Sequence, residues 1–203
     1  MIEAVIGLAG VVVGSAITIS KDVWVTSLER RREGSYSAIR LICLLEEYAD
    51  ECITIVGDDG TAYGQPAGRT TDGEEYYKPT EVSPKPLEFP EDIAWRSIKE
   101  RLMHRTLALP NMARSTNRHI DQACDYSSPP FLDTYFKVRQ QGYARLGMEA
   151  LEIADSLRQQ FTISALGRVV GDAGWEPKKY LRDQLSKFDQ LDTPVKTRDD
   201  AIV

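Results

Sequence analysis

The chain has 203 residues, 42% of them apolar and 28% charged, with a formal net charge of -6. That length holds one ordinary domain with an appendage rather than two large cores, and the acidic balance disfavours a general nucleic-acid binder. Cys43, Cys52 and Cys124 are an odd set without CxxC spacing, which points to neither a disulfide framework nor a zinc site and fits a reducing compartment.

The N-terminal stretch MIEAVIGLAGVVVGSAITISKDVW carries no charge from Ala4 to Ser20. A cleaved export signal needs a basic start, and only Glu3 stands there. The run is at the short end of the roughly 17 to 25 residues that span a bilayer as a helix. Lys21 and Trp24 suit the lipid interface, Asp22 marks the end of the hydrocarbon region, and Arg30, Arg31 and Arg32 form the strongest basic cluster of the chain. By the positive-inside tendency, residues 1–28 are expected to be a single-pass anchor in the cell membrane, N-terminus outside and C-terminal domain cytoplasmic. Gly7, Gly10, Gly14 and Thr18 step by three and four, so a narrow stripe of small residues is a candidate contact with another helix, whether a homo-oligomer or a protein partner. The competing reading is a helix buried in a soluble protein or between its subunits.

Residues 29–192 read as a helical domain and 193–203 as a frayed tail. The segment GSYSAIRLICLLEEYADECITIV places Tyr36, Ile39, Ile42, Cys43, Leu45, Ala49, Cys52, Ile53 and Val56 near a 3.6-residue period. No proline separates this helix from the anchor, so the two are expected to run on as one. Gly57 then ends it.

Residues 57–90 contain five glycines and five prolines and no sustained periodicity. So long a connection is unusual in a compact domain, and Tyr63, Tyr76, Tyr77 and Phe89 argue for a flap partly packed on the helices and available to a partner. EDIAWRSIKERLMHRTLAL is expected to form a helix beginning beside Pro90, with Trp95, Ile98, Leu102, Thr106 and Leu109 inward and a break or kink at Pro110. The next helix repeats Leu132, Phe136, Tyr143, Leu146, Ala150, Ile153 and Leu157 at three and four spacing, and a short last one carries Tyr180, Leu181, Leu185 and Phe188. Together these predict an all-α chain: one transmembrane helix, then an antiparallel bundle of about four helices with a long irregular insertion.

No motif names a reaction or calls for a cofactor. GDDGTAYGQPAG lacks the alternating ligands of a calcium loop, GRVVGDAGW does not join a strand to a helix, and His119 with Asp121 and Asp125 has no metal-ligand spacing, so no metal site is expected. Arg96, Glu100 and His104 step by four and read as a solvated ladder. Arg96, Arg101, Arg105, Arg114 and Arg118 cluster around Pro110, where guanidinium forks could hold an oxyanion. Two functions stand in view: a membrane-tethered helical interaction protein with protein partners and the lipid bilayer as its setting, and an enzyme or ligand sensor with an anion site between helices near Pro110.

Overall fold

A computed structural model describes residues 2–128, 132–164 and 174–192, with side chains from residue 26 to residue 189 within those ranges. The chain is all-α, built on α1 (Ile2–Val56), α2 (Glu100–Asp125), α3 (Asp133–Phe161) and α4 (Pro177–Asp192). Among the described residues no helix is long and apolar enough to cross a membrane, so the fold lends the transmembrane helix expected at residues 1–28 no support. The surroundings of Gly7, Gly10, Gly14, Thr18, Lys21 and Trp24 lie outside what the structure describes, as does the 193–203 tail.

The core is a seam between α1 and α3. On α1, Gly34, Ala38, Leu41, Leu45, Tyr48, Cys52 and Ile55 are buried at alternating steps of four and three. On α3, Arg139, Tyr143, Leu146, Ala150, Ile153 and Leu157 follow the same rule. Two stripes of this 3.5-residue period face each other along their whole length, as in a coiled coil. This corrects the stripe expected on α1, because Tyr36, Ile39 and Cys43 are exposed. The physical reason is width: the apolar arc of this helix exceeds the seam, and only its inner edge is covered.

Contacts fix the directions. Phe161 meets α1 at Gly34, Arg158 reaches Glu46, Gly147 packs on Cys52 and Arg139 pairs with Asp58 just beyond the helix, so α3 runs antiparallel to α1. Arg105 bonds Glu149 and Tyr143 bonds Asn117, so α3 is antiparallel to α2 as well. Hence α1 and α2 run the same way, which qualifies the expected antiparallel bundle. The parallel pair explains the long connection: after Val56 the chain must return down the bundle, about 33 Å from Gly34 to Val56 at 1.5 Å per residue, before α2 can start. α4 packs on α3, with Leu181 against Gly147 and Lys178 bonded to Asp155.

The crossover is irregular, with only two two-residue strands, Gly68–Arg69 paired antiparallel to Glu75–Tyr76. Its last part docks on α1: Asp92 pairs with Arg40 at 2.6 Å, and the Ala94 N–H donates to Ser37 Oγ at 3.0 Å. Trp95–Ser97 makes a 3-10 turn, and α2 begins at Glu100 rather than beside Pro90. Buried Ile93 and Ile98 are five residues apart, a spacing that serves a docked turn and not a continuous helical face. Of the break or kink expected at Pro110, the break does not occur, since α2 continues through it. Proline there removes the N–H that would bond to the Thr106 carbonyl, one ladder bond among many.

Candidate functional site

Three places gather polar side chains: the root of α1, the start of the crossover, and the cleft beside Pro110.

At the root, every residue from Thr26 to Glu33 is exposed, and Gly34 is the first buried residue of α1 among the described side chains. A side chain at Gly34 would collide with neighbours, because its Cβ would stand 2.7 Å from Ser97 Oγ and 2.8 Å from Phe161 Cε1. Glycine here lets the 3-10 turn and the end of α3 close against α1 next to its exposed stretch from Thr26 to Glu33. Arg30, Arg31 and Arg32 ring the uncovered helix just outside this collar. A cleft of about 650 Å³ lies beside them, lined by Arg30, Glu33, Trp95 and Arg96. Arg96 therefore belongs to the root and not to a helical ladder with Glu100 and His104.

At the start of the crossover, Asp58 and Arg139 form an ion pair of 2.9 Å with side chains 1% and 2% exposed. The Asp58 carboxylate also accepts from the N–H of Gly60 at 3.0 Å, of Thr80 at 3.0 Å and of Glu81 at 3.1 Å, and from the Thr80 hydroxyl at 2.9 Å. Arg139 uses its other terminal nitrogen on the Glu81 carbonyl at 2.5 Å, and Gln140 donates to the Asp58 carbonyl at 2.8 Å. Burial pushes the Asp58 carboxyl up, but the Glu81 and Gly60 N–H groups, the Thr80 hydroxyl and Arg139 outweigh it, leaving the pKa below its ordinary value. This knot ties the two ends of a 23-residue separation in the crossover to α3. With every acceptor site of the carboxylate occupied it is a clamp, not a reactive group.

The third place is a cleft of about 270 Å³ between the Pro84–Leu87 stretch and the helices, beside Pro110. Its inner wall holds Tyr48 and Tyr143, which are 5% and 1% exposed. The Tyr143 hydroxyl donates to Asn117 Oδ1 at 3.0 Å. Burial pushes both phenols up, so they are protonated at neutral pH.

The five arginines expected to form one anion site do not converge. Arg105 is committed to Glu149 through two bonds of 2.9 Å and to Glu152 at 3.1 Å. Arg101 and Arg105 share a different groove with Lys99, Arg118 is exposed, and only Arg114 reaches the Pro110 cleft. His104 and His119 are exposed, and no group of three potential ligands could hold a metal among the described residues. On the flap, Tyr63 is fully exposed and Tyr77 39% exposed, while Tyr76 covers Gly68 and Phe89 packs edge-on against Trp95 at 5.6 Å.

Asp58 and Arg139 escaped the sequence reading. The signal for Arg139 was present, since the α3 stripe passes from Phe136 to Tyr143 over a seven-residue gap whose missing position is 139. A lone cation at a core position of a heptad calls for a buried partner. No protein-family model, curated protein or solved structure matches this chain.

Proposed function

We propose that this protein is a membrane-tethered helical interaction protein, whose bundle is held at the cytoplasmic face of the membrane and binds protein partners. The observation that carries the reading is the continuity of α1, a single helix from Ile2 to Val56 that is uncovered between Thr26 and Glu33. The apolar run from Ala4 to Ser20 is then the anchor, Lys21 and Trp24 sit at the interface, and the three arginines meet the headgroups. A tether without a flexible joint fixes the height and orientation of the bundle as well as its local concentration.

Two uncovered surfaces support partner binding. Tyr36, Ile39 and Cys43 leave an apolar outer edge on α1 close to the basic ring, and Tyr63 and Val82 stand out from the crossover at 104% and 85% exposure. Deleting residues 57–90 would destroy the crossover, so the sharper test substitutes Tyr63→Ser with Val82→Ser and compares partners recovered from solubilised membranes. Loss of wild-type partners in the variant is expected, and an unchanged set removes the flap from the proposal. The glycine stripe is tested by oligomeric state in detergent: Gly10→Ile with Gly14→Ile should lower it, and no change would dismiss a helix contact there.

A further inference from the structure

The Pro110 cleft has a chemistry that membrane tethering does not use. Lys85 and Arg114 stand at its rim, and the Asn117 amide and the Tyr48 and Tyr143 phenols stand within it. No carboxylate lines it, in a chain whose net charge is -6. Among the described residues neither rim side chain pairs with a carboxylate, although the Lys85 backbone N–H donates to Glu51 at 3.3 Å; the Arg114 guanidinium bonds the neutral Asn111 amide. The Tyr143 hydroxyl holds Asn117 by its oxygen, which leaves the amide NH2 as the end free to donate. The remaining wall is apolar, formed by prolines of the crossover and by Leu87.

We propose that this cleft binds a small organic anion, a carboxylate or phosphate monoester on a short apolar body. The anionic head lies between Lys85, Arg114 and the Asn117 amide, and the body lies on the proline and tyrosine walls. Its volume of about 270 Å³ is just below the roughly 300 to 1,000 Å³ typical of ligand pockets, which limits the body to about one ring. A neutral analogue of the same shape leaves the cations unanswered and binds weakly. Because Lys85 lies on the crossover and Arg114 on α2, the anion bridges two elements and tightens the flap on the bundle.

The test titrates the full chain in non-ionic detergent against 4-fluorobenzoate, 4-fluorophenyl phosphate and neutral 4-fluorobenzyl alcohol, read by 19F line width. The exposed pair is changed in Lys85→Gln with Arg114→Gln, and the same charge is removed elsewhere in Lys99→Gln with Arg101→Gln; circular dichroism checks that both variants fold. Saturable binding of an anion is expected, weakened at least tenfold in the first variant and changed less than twofold in the second. Binding of only one anion supports the site and assigns its head. Absence of saturable binding for both anions, equal binding of the alcohol, or equal behaviour of the two variants overturns it. None of these readouts depends on membrane attachment.

Discussion

Removing the Asp58 carboxylate should release the crossover from the bundle before the helices separate. In Asp58→Ala, Arg139 keeps only the Glu81 carbonyl as a partner while its side chain is 2% exposed. Breaking a buried ion pair from one side costs about 3 to 5 kcal/mol, because the remaining charge is uncompensated. Arg139→Met should fall at the lower end, since Asp58 would retain its bonds from Gly60, Thr80 and Glu81. The double variant should cost less than the sum of the singles by about 2 kcal/mol or more, because it strands neither charge. Against a domain stability of about 5 to 15 kcal/mol, these losses are a large fraction of the total. Urea unfolding of the full chain in detergent gives the energies, and amide hydrogen exchange locates them: protection should fall first at Gly60, Thr80 and Glu81, with the α1 and α3 seam following the global loss. A single variant within 1 kcal/mol of wild type, additive effects, or protection lost uniformly would refute the clamp.

Three further outcomes follow from the same geometry. The depressed Asp58 carboxyl makes its stabilisation complete above the unfolded carboxylate value of about 4 and lost as pH falls through its own lower value. Pepsin cleavage between residues 58 and 82 should therefore appear on acidification before helical circular dichroism is lost, and Asp58→Asn should be cleaved with no such acid step. Gly34→Ala should cost about 1 to 3 kcal/mol by overpacking against Ser97 and Phe161, despite the better helix propensity of alanine. Native alkylation at pH 8 should label the exposed Cys43 and Cys124, while Cys52, whose thiol burial pushes far up, reacts only after unfolding; mass spectrometry distinguishes the three.

The helices of this bundle were legible because their apolar positions recur at three and four; on α3, Tyr143, Leu146, Ala150, Ile153 and Leu157 are buried as expected, while Leu132 and Phe136 at its start are only half-buried. The inner edge of α1 was not, since Tyr36, Ile39 and Cys43 extend the apolar arc past the seam and periodicity cannot say which edge is covered. The crossover was visible as an irregular stretch rich in glycine and proline. Its cause, the parallel course of α1 and α2, depends on which faces pair and is invisible in either helix alone. The same holds for the knot, where Asp58 and Arg139 stand 81 residues apart. It also holds for the arginines, which are neighbours in sequence around Pro110 yet serve the root, a clip to Glu149, and a cleft.

The proposal that α1 is at once an anchor and the spine of the bundle is tested by membrane fractionation followed by protease protection. The chain should sediment with membranes, resist alkaline carbonate extraction, and lose its bundle to protease only when the cytoplasmic face is exposed. Full recovery in the soluble fraction, or digestion of the bundle from the outer face, would contradict the account.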